Sequence, residues 1–139
     1  HENVCFLKND SKEDAFWEIL NLFDNHINKD IKKSLYFDLI KRENSFNSGY
    51  NHGIALPNLL SDKIDKPLLA IGISKKGIDF NATDGYLSHF IIVLISPSKS
   101  SNLHNQLINT VIDCSKQKDW LNLLPLLNSS QDFVSRIHQ

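Results

Sequence analysis

His89–Ile95, HFIIVLI, is an unbroken apolar run behind a single histidine, rich in β-branched side chains. It is far too short to cross a bilayer. It also lacks the 3.6-residue rhythm of a helix with one wet face. A run of this kind suits a strand covered on both sides, so the chain must supply helices for two faces of a sheet. Downstream, helical spacing returns at Ser101, with Leu103, Leu107, Ile108, Val111 and Ile112 on one stripe that ends near Cys114. Trp120, Leu121 and Leu124 predict a short helix halted by Pro125, because proline disfavours helix at the residue before it. A last helix is predicted from about Ser130, with Phe133, Val134 and Ile137 as its apolar face.

Upstream of the run, Leu68–Ile73 (LLAIGI) and the short Gly53–Pro57 (GIALP) are further strand candidates. Gly77–Phe80 (GIDF) and Asp84-Gly85 read as turns. Before the strands, a helix over Lys29–Arg42 carries the stripe Ile31, Leu35, Tyr36, Leu39, Ile40. An earlier helix starts at SKED, with Ser11 as N-cap and Asp14 three residues on, followed by Ala15, Phe16, Ile19, Leu20, Leu22 and Phe23. The connection between these two helices is short, which predicts an antiparallel pair. Helices before and after a block of buried strands define an α/β sandwich.

With 139 residues and no linker or repeat, the chain is expected to form one domain over residues 1–139. Its 15 basic and 16 acidic residues give a net charge of −1, which provides no basic footprint for nucleic acid. No apolar run reaches membrane-spanning length and residues 1–30 show no signal peptide, so a cytoplasmic domain without membrane insertion is expected. Cys5 and Cys114 form no metal-type pair and are expected as buried, reduced thiols. Neither a metal nor a cofactor is implied. Methionine is absent, and the expectation is a domain excised from a longer protein.

Between the second helix and the first strand candidate lies RENSFNSGYNHGIALPN, Arg42–Asn58, whose glycines, asparagines and serines are loop chemistry. This segment resembles the signature of the IIA domains of the fructose, mannitol and nitrogen-regulatory branch of the bacterial sugar phosphotransferase system (EIIA type 2). The resemblance rests on Arg42-Glu43, on the loop glycines Gly49 and Gly53, and on Ile54, Ala55, Leu56 and Pro57. GIDFNATDG (Gly77–Gly85) is similar to the second signature of that family, and FIIVLISPSKSSNLHNQL (Phe90–Leu107) to its third. The three occur in family order and cover nearly the whole chain.

The resemblance implies a three-layer fold with a mixed β-sheet between helices, the phosphotransferase/anion transport protein-like fold. It also implies a phosphoryl relay, in which HPr phosphorylates a histidine of the IIA domain and the group then passes to a IIB domain. Asn58 stands where the family carries that histidine, and His104 matches the second histidine, 46 positions on. His104 would donate a hydrogen bond to the phosphoryl group or orient the first ring, and Arg42 would bring a planar cation to its oxygens. His104 also falls about three residues past a helix N-cap at Ser100 or Ser101, where free N–H groups and the dipole favour a neutral ring.

An amide nitrogen has no available lone pair, so Asn58 cannot accept a phosphoryl group. Two loop residues also depart from the family: Asn51 replaces a glycine, and His52 replaces an asparagine. Asn58, His104 and Arg42 are expected to share one shallow pocket with His52 at its rim. Leu59-Leu60 either fold under the sheet edge or mark a partner surface, and Asp79 and Asp84 are expected to be structural turn residues. The functional expectation is a regulatory or protein-interaction module without carrier activity, whose partners are HPr-like or IIB-like proteins or a regulated transporter or kinase. The alternative is a working phosphocarrier that uses His52 or His104.

Overall fold

The computed structural model describes residues 3–117 and 119–137. Its sheet has five strands: β1 (Val4–Phe6), β2 (Ile54–Ala55), β3 (Asn58–Ser61), β4 (Leu68–Ile78) and β5 (Ser88–Pro97). The helices are α1 (Lys12–Leu20), α2 (Lys29–Ser45), α3 (Ser101–Gln117), α4 (Trp120–Leu123) and α5 (Ser130–Ile137). β5 is the axis of the fold, and all of it is buried except half-exposed His89. It pairs antiparallel with β4 on one side, from Leu68↔Ile95 to Ile73↔Phe90. On its other side it pairs parallel with both β2 and β3, and β1 runs parallel to β4 beyond it. The sheet is therefore mixed.

Alternation along β5 explains why its sequence shows no polar face. Ile91, Val93 and Ile95 point into a core completed by Ala15, Phe16, Ile19 and Leu20 of α1 and Leu35 and Leu39 of α2. Phe90 and Ile92 point the opposite way, against Trp120, Leu127 and Phe133, with Val111 and Cys114 of α3 packed alongside. Side chains two apart share a face of a strand, so each parity meets its own helix layer. Helices cover both faces, as the apolar run required.

The helix starts follow their side-chain chemistry. The Ser11 hydroxyl accepts from the Asp14 N–H and the Asn28 side chain from the Ile31 N–H, each capping an otherwise free donor. α2 runs three residues further than expected, through Ser45, and α3 extends to Gln117. α4 ends at Leu123 and is followed by a single 3-10 turn over Leu124–Leu126, which accommodates Pro125.

Two expectations about the strands are corrected, and one strand is added. Gly77 and Ile78 belong to β4, which continues through Lys75 and Lys76 with a shift of register before Ile78↔Ser88. The GIALP strand is only Ile54–Ala55, and pairing resumes at β3 beyond Pro57. Proline breaks the edge strand because it has no N–H to donate, yet its carbonyl still accepts from the Leu94 N–H at 3.0 Å. β1 is an element that the sequence pattern did not indicate. Cys5 and Cys114 are free thiols that are partly rather than fully buried. Burial, followed by the nearby Glu18 carboxylate, pushes the Cys5 thiol up to about 11.

Candidate functional site

The site forms where the two helix layers meet at the sheet edge, between the end of α2, the start of β3 and the first turn of α3. Asn58 opens β3. Its Nδ2 donates to the Leu56 carbonyl at 2.8 Å, and this fixes the direction of the amide. Its Oδ1 therefore faces away from Leu56, and it lies 3.1 Å from Nε2 of His104. The other ring nitrogen of His104, Nδ1, lies 2.7 Å from the hydroxyl of Ser96. His104 is the only buried residue of α3 among those described, at 5% exposure. Burial and then the Arg42 charge hold its pKa below the ordinary histidine value.

Arg42 is exposed on the last turn of α2, with its guanidinium 5.5 Å from the centroid of the Phe46 ring. Arg42 and Phe46 line two adjoining clefts. One, of about 170 Å³, contains Asn58 with Ser48 and Pro57. The other, shallower and about 650 Å³, contains His104 with Leu59 and Leu60. Asn58, His104 and Arg42 thus come together in a pair of joined clefts rather than in one pocket.

His52 is placed differently from the expectation. It lines a separate cleft of about 300 Å³ with Tyr50, Lys116 and Trp120, on the α3–α4 side of the loop. The loop geometry accounts for this. His52 itself takes the left-handed conformation, with φ of 60°, and its backbone N–H donates to Asp84 Oδ2 at 2.8 Å. The left-handed backbone continues at Gly53, with φ of 80°. A side chain at Gly53 would also run into Leu121, so glycine is required there on two counts.

The whole chain, residues 1–139, matches the family model described as phosphoenolpyruvate-dependent sugar phosphotransferase system, EIIA 2. The chain belongs to this family. The fructose-specific EIIABC component of Bacillus subtilis is 24% identical over 98 residues, covering 70% of this chain and 15% of that protein. The nitrogen regulatory protein of Pseudomonas aeruginosa is 25% identical over 127 residues, covering 89% of this chain and 82% of that protein. The chain therefore spans about a seventh of the multidomain Bacillus relative. The crystal structure of nitrogen regulatory protein IIA-Ntr from Neisseria meningitidis superposes with a TM-score of 0.82 at 20% identity, covering 99% of this chain and 94% of that one. The Escherichia coli mannitol IIA enzyme, solved in complex with phosphorylated IIB, gives a TM-score of 0.75 at 16% identity, covering 99% and 94%. These superpositions show a shared EIIA fold. No helix among the described residues is long and apolar enough to cross a membrane.

In this EIIA domain the Arg-Glu pair divides its work. Arg42 faces the clefts, whereas Glu43 is buried. Glu43 Oε2 accepts from Lys12 Nζ at 3.2 Å and from the Ser48 N–H at 2.9 Å, so one carboxylate ties α1, the end of α2 and the site loop together. The GIDFNATDG segment braces the same loop from the other side. A Cβ on Gly49 would lie 2.8 Å from the Phe80 carbonyl oxygen, and Asp84 holds the His52 backbone. Asp79 and Asp84 both accept backbone N–H groups, from Asn81 and from Tyr86, which is turn chemistry. Leu59 and Leu60 split the two readings, with Leu59 in the core and Leu60 41% exposed.

Glu43→Ala is expected to cost about 2 kcal/mol in urea unfolding, because the Ser48 N–H and the half-buried Lys12 both lose their partner. Glu43→Gln keeps an acceptor for Ser48 and should lose about half as much. A loss below about 0.5 kcal/mol for the alanine variant would mean that the contact is screened like a surface pair.

Ser96 is the site residue that sequence reasoning missed. It follows the apolar run, eight residues before His104, and in the sequence it reads only as a polar residue at a strand end. Its hydrogen bond becomes visible only when α3 folds back over β5.

Proposed function

We propose that this EIIA domain is a regulatory or protein-interaction module that does not carry a phosphoryl group. One observation carries the reading: at the edge-strand position where the resemblance expects the acceptor, both polar atoms of Asn58 are already hydrogen-bonded and neither can act as a nucleophile. His104 does not replace it. Its Nε2 faces an acceptor and its Nδ1 a hydroxyl, so no lone pair points to solvent. His52 is a poor substitute. It lies outside the clefts that Arg42 lines, and the Asp84 carboxylate is bound to its backbone, an anion beside any phosphoryl group it would hold.

An EIIA face that keeps Arg42, exposed Phe46 and Leu60 around an uncharged centre offers a partner a constant unphosphorylated surface. HPr-like and IIB-like proteins, or a transporter or kinase under its control, are the partners this reading supports, in a cytoplasmic setting. The experiment is incubation with phosphoenolpyruvate, enzyme I and HPr, read by intact mass, and the expected result is no change in mass. A gain of one phosphoryl group that disappears in His52→Ala would instead establish a phosphocarrier.

A further inference from the structure

The hydrogen bonds of His104 form a line, from the Leu56 carbonyl through the Asn58 amide and the imidazole to the Ser96 hydroxyl. The direction of the first link is set. Because Nδ2 of Asn58 is committed to a carbonyl, Oδ1 can only accept from the ring, and Nε2 must carry the proton. The last link is set independently. Ser96 is fully buried, and among the described residues its hydroxyl has no hydrogen-bond partner besides Nδ1 of His104. If Nδ1 carried a proton, the serine O–H would be left in the core without an acceptor, a state that buried polar groups avoid. The serine therefore donates to Nδ1. Both ends of the line demand the same neutral tautomer.

We propose that Ser96 is a positioning residue: its hydroxyl holds the Nδ1 lone pair of His104 and so keeps the ring proton on Nε2, aimed at whatever side chain occupies position 58. Ser96 lies on the same face of β5 as Phe90 and Ile92, the face that α3 covers, so the strand fixes its reach. The device has two consequences. A ring donor is always presented to position 58, and His104 is kept from acting as a nucleophile because its lone pair is taken inside the core. The first consequence bears on catalysis only through the proposed reading of position 58 as the family acceptor position. The tautomer itself does not depend on that reading.

The test is long-range 15N–1H NMR of the histidine rings, which distinguishes protonated from unprotonated ring nitrogens. The wild-type domain is expected to show His104 with Nε2 protonated and Nδ1 as a hydrogen-bonded acceptor. Asn58→Ala removes the acceptor on Nε2, and the tautomer should persist because Ser96 still holds Nδ1. Adding Ser96→Ala in that background should produce a mixture of tautomers. In an Asn58→His background, Ser96→Ala should slow phosphorylation by HPr about tenfold, the equivalent of one lost hydrogen bond, with an unchanged KM for HPr. A wild-type ring protonated on Nδ1, or a double-alanine variant that keeps a pure Nε2–H ring, would overturn the assignment. If the NMR results hold while the Asn58→His variant fails to react, the fault lies with the reading of position 58 and not with Ser96.

Discussion

Asn58→His is expected to turn this domain into an acceptor that phospho-HPr modifies close to stoichiometrically. In the transfer an imidazole lone pair at position 58 attacks phosphorus in line, and the bond to the donor breaks as the new P–N bond forms. Little covalent help is needed from the protein, and most of the catalysis is positioning and charge. Both are present. The Nε2–H of His104 is 3.1 Å from the polar atom now at position 58, and a histidine there would meet the same donor. Arg42 lines the cleft that contains position 58 and makes no salt bridge among the described residues, so its fork is available to phosphoryl oxygens. The rise over the wild-type background should exceed roughly a thousandfold, well within what orientation alone can supply. Adding Arg42→Ala should lower the rate of the restored variant by about a hundredfold, the effect typical of removing one stabilising donor. Intact mass before and after acid treatment reads the result, because a phosphohistidine is acid-labile. A variant that remains unmodified would overturn the reading of position 58 as an acceptor position that Arg42 and His104 still serve.

The parts of the fold legible in the sequence were those whose burial leaves a periodic trace. HFIIVLI could be placed in the middle of a sheet because both parities of the strand are apolar, and the structure uses both. The capped helices were legible for a similar reason, since Ser11 serves one local purpose that three residues suffice to reveal. Elements that lean on long-range partners were not legible. β1 is three half-buried residues that gain strand geometry only by pairing with β4. The far end of β4 carries exposed Lys75 and Lys76, whose charge conceals a strand that returns to the core at Ile78.

The site follows the same division. Asn58, Arg42 and His104 could be singled out because a resemblance supplied positions that no single-chain pattern marks, and the structure brings these three into joined clefts. His52 could not be placed correctly, because its direction depends on a left-handed backbone fixed by Asp84, 32 residues away. Ser96 was hidden for a further reason. A serine at the end of a strand has many uses, and only the return of α3 selects this one.

Phe90→Ala is expected to produce the largest loss of stability of any change considered. Phe90 is fully buried and lies at the centre of an aromatic triad, 5.4 Å from Trp120 and 5.7 Å from Phe133, which are themselves 5.5 Å apart. Truncation removes the transfer energy of the ring and leaves a cavity that two large neighbours cannot fill without leaving their rotamers. Such changes cost about 3–5 kcal/mol, against a total that for domains of this size is about 5–15 kcal/mol. Phe90→Leu should lose roughly half as much, since most of the volume remains. Urea unfolding followed by tryptophan fluorescence measures both, with the slope unchanged if the native fold is retained. The triad is what fastens α4 and α5 to β5, whereas the site depends on α2, β3 and the opposite end of β5. The folded fraction of Phe90→Ala should therefore keep the His104 ring tautomer of the wild type even as its unfolding midpoint falls. A loss under about 1 kcal/mol would show that the α4–α5 layer contributes little to holding the sheet. A changed tautomer at His104 would show that β5 transmits strain along its length from the aromatic triad to Ser96.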